Sequence, residues 1–257
     1  MFIWSLIKTL LTAYLLLVLA VYLLQDRLIY HPPPTTEHPH PTLQLPTGED
    51  TIHAVQLNPQ GERVLLYFGG NAEQVAYSAF DFVQHLPNTR VLLMQYRGYG
   101  GTSGSPSEAA LFADALALYD HLSEQTNQPI TVMGRSLGSG IATYVASQRE
   151  VAQLILVTPF DSLRAVAAKL LPILPVNWLL RDHYNSVSRV AAIGADTLIL
   201  QARHDEVIPA VHSQALKTAF SADQVTHIEL DAGHNDIDLK SGYFGSIRDF
   251  LGCDVRC

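Results

Sequence analysis

Four runs of this chain are of strand length and almost wholly apolar: VLLYF at 64–68, RVLLMQ at 90–95, LILVT at 154–158 and TLILQ at 197–201. A strand with one wet face alternates apolar and polar residues. Runs without alternation fit strands covered on both faces. Longer segments of helical pattern separate them, and strand–helix alternation calls for a mostly parallel sheet flanked by helices. The spacing predicts strands at 52–57, 63–68, 90–95, 130–133, 154–157, 197–201 and 225–230. It predicts helices at 73–86, 108–122, 137–147, 210–220 and 242–251, the second opened by Ser107 as N-cap. In such a sheet, chemistry collects in the loops at the carboxyl ends of the strands.

Residues 131–140 read TVMGRSLGSG, with Ser136 inside Gly134-Arg135-Ser136-Leu137-Gly138 at the junction after strand 130–133. It follows a predicted strand and opens a predicted helix, the context a nucleophile turn requires. Neighbouring backbones crowd there, so a Cβ at 134 or 138 would clash. A serine hydroxyl needs a base, and the base works best when an acid orients it. Asp205 follows strand 197–201 in ARHDEVIP, and His234 follows strand 225–230 in DAGHND. Asp161 is a competing acid. His204 is a competing base, but it adjoins Asp205 and is poorly placed to bond it across a site. YFGGNAE, at 67–73, sits where a Gly-rich loop supplies an oxyanion-hole N–H; Leu137, after the serine, supplies the other. Asn71 is the first choice for that donor and Gly70 the second. Arg135 has no role legible in the motif.

These pieces, with LIYHPPP at 28–34 and QYRGYGGTSGSPSE at 95–108, resemble the α/β-hydrolase superfamily. More narrowly, they resemble its small membrane-anchored branch, which includes bacterial anchored hydrolases and eukaryotic protein depalmitoylases. The resemblance implies an α/β-hydrolase fold and catalytic residues Ser136, Asp205 and His234, in that family's chain order. It also places the RGYGGTSG loop beside the active site. Two departures stand out. Gly69 replaces the histidine of the branch's His-Gly-Asn pattern, and Ala202 replaces the glycine that usually opens the acid loop.

The first 24 residues, MFIWSLIKTLLTAYLLLVLAVYLL, carry one charge, Lys8. As a helix, residues 2–24 would be about 34 Å long, enough for a hydrocarbon layer of roughly 30 Å. A cleaved signal peptide is the rival reading, because Val18-Leu19-Ala20 offers small residues to a signal peptidase. The apolar run continues past Ala20, which favours an uncleaved anchor at 1–25. Lys8 on the N-terminal side favours an inward N-terminus and a catalytic domain outside the cytoplasm. HPPPTTEHPHP at 31–41 reads as an extended, semi-rigid, solvated spacer within a linker at 26–41. A hydrolase domain then fills 42–257. Residues 161–184, apolar and broken by Pro172 and Pro175, interrupt the alternation. A lid, a membrane-leaning surface and an ordinary packed excursion all fit that segment.

With 257 residues, 48% hydrophobic and 16% charged, the chain has ample core, which excludes global disorder. Its net charge of −8, with no cluster of Lys and Arg, argues against a phosphate-tracking nucleic-acid binder. His-Glu-x-x-His and Cys-x-x-Cys are both missing, so no metal site or cofactor is expected. Cys253 and Cys257 fit a tail disulfide or idle thiols equally. The expected activity is hydrolysis of a carboxylic ester or thioester, with a small-molecule or lipid-like acyl substrate. A serine aminopeptidase-like hydrolase and a non-catalytic, membrane-tethered binding protein are the rivals.

Overall fold

The computed structural model describes residues 2–48 and 50–253. Eight strands form one sheet: β1 (Thr42–Thr47), β2 (Asp50–Leu57), β3 (Arg63–Phe68), β4 (Thr89–Gln95), β5 (Ile130–Arg135), β6 (Gln153–Val157), β7 (Asp196–Ala202) and β8 (Val225–Leu230). Their order is β1-β2-β4-β3-β5-β6-β7-β8. β2 runs antiparallel to β1 and β4, and every other pairing is parallel.

The apolar runs behave as strands buried on both faces must. Val64, Leu66 and Phe68 of β3 enter one core; Leu65 and Tyr67 enter the other. Leu154 and Leu156 of β6 oppose Ile155 and Val157 in the same way. Helices α2 (Ala79–His85) and α8 (Gly242–Phe250) cover the second face. Helices α3 (Glu108–Gln125), α4 (Leu137–Gln148) and α7 (Ala210–Ala219) cover the first. Ser107 caps α3, its hydroxyl accepting from the Ala110 N–H at 3.2 Å.

From β3 the chain steps to β4 on one side and then crosses back to β5 on the other. This reversal is the crevice where open α/β sheets hold their ligands. The register pairs Phe68 with Gly134, so the loops that follow, at 69–74 and 135–137, lie side by side.

Several expectations change. The predicted helix at 73–86 is a 3-10 turn at Val75–Ser78 followed by the shorter α2. β1 was not expected; it pairs on one side only, an edge position that tolerates Pro46 without an N–H to give. The N-terminal helix α1 runs Phe2–Ile29, four residues past the expected end of the anchor, and Tyr30 beyond it is buried. The linker therefore starts later and is not free in solvent where it begins. The Pro33 carbonyl accepts from the Gly100 N–H, and the Pro34 carbonyl from the Gln74 amide. Proline carbonyls are good acceptors, and here they strap residues 31–36 onto the loops at the sheet's carboxyl edge. The 161–184 excursion holds α5 (Leu163–Leu170) and α6 (Val176–Leu179). The choice between a tail disulfide and idle thiols at Cys253 and Cys257 turns on Cys257, which lies outside the described residues.

Candidate active site

Ser136 sits between β5 and α4 at φ +50°, ψ −116°, a strained conformation for a residue with a side chain. The turn around it leaves no room for side chains on its flanking glycines. A Cβ on Gly134 would fall 2.2 Å from the Gly138 carbonyl oxygen; one on Gly138 would fall 2.1 Å from that of Phe68. Both obstacles are backbone, so neither can swing aside. The strain lifts the Ser136 hydroxyl clear of the sheet at the N-terminus of α4, whose dipole favours negative charge there.

Ser136 Oγ lies 2.9 Å from His234 Nε2, and His234 Nδ1 lies 2.8 Å from Asp205 Oδ2. An ionised carboxylate only accepts, so Nδ1 carries the proton and Nε2 is free to accept from the serine. Asp205 is itself held: its Oδ1 accepts from the N–H groups of Val207 at 2.9 Å and Ile208 at 2.7 Å. The competitors are engaged elsewhere. Asp161 accepts from His212 Nδ1 at 2.9 Å and from the Ser162 N–H at 2.6 Å. His204 pairs with Asp231 at 2.9 Å on the surface.

The oxyanion loop lies against this turn; a Cβ on Gly70 would stand 3.7 Å from Ser136 Cβ. The Gly70 N–H is occupied, donating to Glu73 Oε2 at 2.6 Å. That disfavours the second choice. The Asn71 and Leu137 backbone N–H groups have no hydrogen-bond partner among the described residues. The Asn71 side chain pins the loop: its Oδ1 accepts from Tyr99 at 2.7 Å and from the His31 N–H at 3.1 Å, and its Nδ2 donates to the Ile29 carbonyl at 2.6 Å. Tyr99 belongs to the RGYGGTSG loop, which thus borders the site.

Two residues escaped the sequence reading. Glu73 takes the Gly70 N–H and the hydroxyls of Tyr67 and Ser78. With Val75 it fills the space beside Gly69, where a Cβ would lie 2.6 Å from Val75 Cγ1. In place of the branch's histidine at 69, the carboxylate of Glu73, four residues on, holds this loop. Arg135 donates to Asp238 at 3.0 Å and to the His234 carbonyl at 3.3 Å, tying the histidine loop to the serine turn. Nearby Tyr67, Glu73 and Asp238 push its pKa up against the opposing effect of burial, so the guanidinium is charged throughout. Glu73 has a sequence signal, three residues past a Gly-Gly pair; Arg135 has none, since Asp238 is 103 residues away.

A cavity of about 400 Å³ opens at Ser136. Leu137, Phe160, Ile208, Val166, Leu174 and Val176 line it, together with Val21, Gln25, Leu28 and Ile29 of α1. Among its lining residues none is acidic or basic.

A strained serine elbow after the fifth strand of such a sheet, hydrogen-bonded through histidine to aspartate, is the arrangement of an α/β hydrolase. Comparison with known proteins agrees. A family model described as serine aminopeptidase, S33, matches residues 62–185. An uncharacterised protein of Mycobacterium tuberculosis is 35% identical over 247 residues, covering 88% of this chain and 87% of that one. An uncharacterised membrane protein of Saccharomyces cerevisiae is 35% identical over 170 residues, 63% of this chain and 60% of its own. The α/β-hydrolase domain-containing protein WAV2 of Arabidopsis thaliana is 31% identical over 202 residues, 69% and 65% respectively. Among solved structures, an esterase of Pyrococcus furiosus shares the fold with a TM-score of 0.67 at 15% identity, over 86% of this chain and 98% of that one. The chain belongs to the α/β-hydrolase superfamily.

Proposed function

We propose that this protein is a membrane-anchored serine hydrolase that cleaves carboxylic esters or thioesters of apolar acyl groups. The observation that carries the reading is the hydrogen-bonded series Asp205–His234–Ser136 at the mouth of an apolar cavity. Ser136 Oγ attacks the acyl carbon while its proton passes to His234 Nε2. The oxyanion is received by the N–H groups of Leu137 and Asn71. His234 returns the proton to the leaving alcohol or thiol, leaving an acyl-serine. Water attacks that ester with His234 again as base, and Asp205 holds the imidazole and stabilises its cation throughout.

The cavity volume is that of a small-molecule site, typically about 300–1,000 Å³. An aminopeptidase needs a carboxylate to hold the substrate's α-amine, and the cavity's lining favours the acyl reading over that one. Helix α1 is long and apolar enough to cross a membrane, and its chief polar ends are Lys8 and the Asp26–Arg27 pair. We place its N-terminus in the cytoplasm and the catalytic domain on the opposite side.

Labelling with a fluorophosphonate tests the enzyme class. The folded wild type should label and Ser136→Ala should not; a folded wild type that fails to label is a binding protein. A panel of p-nitrophenyl esters against aminoacyl anilides then tests the leaving group, with esters expected to turn over faster. Carbonate extraction tests the anchor: release of full-length chain into the supernatant contradicts a spanning helix.

A further inference from the structure

The heptad-like face Tyr14, Val18, Val21, Gln25, Leu28 of α1 does not simply point away from the catalytic domain. Val21, Gln25 and Leu28 line the cavity that holds Ser136. The contacts continue down the helix. The Tyr14 hydroxyl donates to the Ile173 carbonyl at 2.9 Å. The Gln25 amide donates to the Leu179 carbonyl at 3.2 Å, and its oxygen accepts from the Arg181 N–H at 2.9 Å. Arg181 also pairs with Asp26 at 2.7 Å.

These contacts set a depth. Lys8 and Asp26 bracket an uncharged stretch about 27 Å long, close to the roughly 30 Å of a hydrocarbon layer. Asp26 and Arg181 therefore mark one headgroup level. Tyr14 lies twelve residues nearer the N-terminus, about 18 Å along the axis, and Ile173 lies beside it. If the catalytic domain sat wholly above the bilayer, only residues 2–13 would remain to span it, about 18 Å of helix. That is too short. A spanning α1 carries residues 170–180 down into the hydrocarbon with it, Ile173 to about the level of the midplane.

The segment is made for that environment. LLPILPVNWLL, 170–180, has no charge between Lys169 and Arg181. Trp178 is 88% exposed and Ile173 71%, large apolar surfaces that water penalises and lipid does not. Non-helical backbone in hydrocarbon must satisfy its own polar groups. Leu171, Leu174, Val176, Trp178, Leu179 and Leu180 each donate to a carbonyl within residues 167–176, and prolines at 172 and 175 have no N–H to satisfy, so that in 171–180 only the Ile173 and Asn177 N–H groups have no hydrogen-bond partner among the described residues. Leu28, Leu170 and Leu171 both line the cavity and remain exposed, so they form its rim on this side.

We propose that the cavity opens inside the near leaflet, between α1 and residues 170–180, and takes the acyl chain of a bilayer-resident ester or thioester directly from the hydrocarbon. Val21 of the anchor is a specificity-determining wall of that site. The inference rests on the anchored-hydrolase reading above, and two reporter positions separate the two. Leu16, 60% exposed near the middle of α1, reports on the anchor, and Ile173 on the immersed segment.

Full-length protein without its native tryptophans (Trp4→Phe with Trp178→Phe) is reconstituted in phosphatidylcholine vesicles carrying mid-chain brominated acyl groups, once with Leu16→Trp and once with Ile173→Trp. Each tryptophan should lose about half its fluorescence or more relative to unbrominated vesicles. Quenching at position 16 without quenching at position 173 overturns the immersion and leaves the anchor standing. Quenching at neither overturns the anchor, and the inference with it. For the wall, Val21→Trp should lower the ratio of p-nitrophenyl palmitate to p-nitrophenyl butyrate turnover at least tenfold in plain vesicles, and Val21→Ala should raise it. Equal ratios in both variants, with Ser136 still labelled by fluorophosphonate, overturn the role of α1. Loss of that label in the wild type overturns the hydrolase reading instead.

Discussion

Two histidine–carboxylate pairs stand at the carboxyl edge of the sheet. His234 and Asp205 are 2.8 Å apart; His212 and Asp161 are 2.9 Å apart. Both histidines are buried, and both bond the acid through Nδ1. The difference is at the far nitrogen. His234 Nε2 faces Ser136, whereas His212 Nε2 is buried with no hydrogen-bond partner among the described residues. A His–Asp pair is thus not itself a reactive device. It becomes one when a nucleophile meets the free nitrogen beside N–H groups awaiting an oxyanion.

Exchanging the two acids breaks the comparison most sharply. Asp205→Asn should lower kcat on a p-nitrophenyl ester on the order of 10⁴-fold by removing the carboxylate that fixes the imidazole's tautomer. Asp161→Asn should leave kcat within a few fold; the reverse pattern would assign the catalytic role to the wrong pair. Arg135→Ala comes next. It frees the His234 loop from the serine turn, and misplacement of a catalytic group by an ångström costs on the order of 10²-fold. The loss should fall on kcat more than on KM, and Arg135→Lys should recover only part of it, because one ammonium cannot serve both Asp238 and the His234 carbonyl.

The second pair shows itself in stability. Asp161→Asn weakens the acceptor for a buried imidazole and for the Ser162 N–H, so urea unfolding should register a loss of about 1–3 kcal/mol. The smallest effect is at the surface. Asp120, half in solvent, pairs with Arg149, whose hydrogen bonds hold its pKa below the ordinary carboxylate value. A lowered carboxylate pKa stabilises above the ordinary carboxylate range and loses that contribution as pH falls through it. Asp120→Asn should therefore cost less than about 1 kcal/mol at neutral pH and nothing once the carboxylate is protonated, as denaturation at the two pH values would show.

The candidate site was largely legible because its parts obey local rules. Ser136 needs glycines on both sides, and Asp205 and His234 each follow an apolar strand, so sequence position alone located them. Asn71 and Gly70 could not be ranked that way. Their ranking turns on the Gly70 N–H, which Glu73 occupies. Arg135 and the α1 wall were invisible for a related reason: Asp238 is 103 residues from Arg135, and Leu179 is 154 residues from Gln25. β1 was hidden by its own composition, since an edge strand carrying a proline looks like linker.

The reach of α1 into the cavity joins address to appetite. In many proteins a tether can be exchanged or cut without touching what the folded domain does. Here Gln25 alone holds the Leu179 carbonyl and the Arg181 N–H, and Val21 and Leu28 close the side of the cavity they line. A form cut after Arg27 would keep Ser136, Asp205 and His234 but lose Val21 and Gln25 from the lining of the cavity. Its preferences would then describe a different catalyst from the one the full chain folds into.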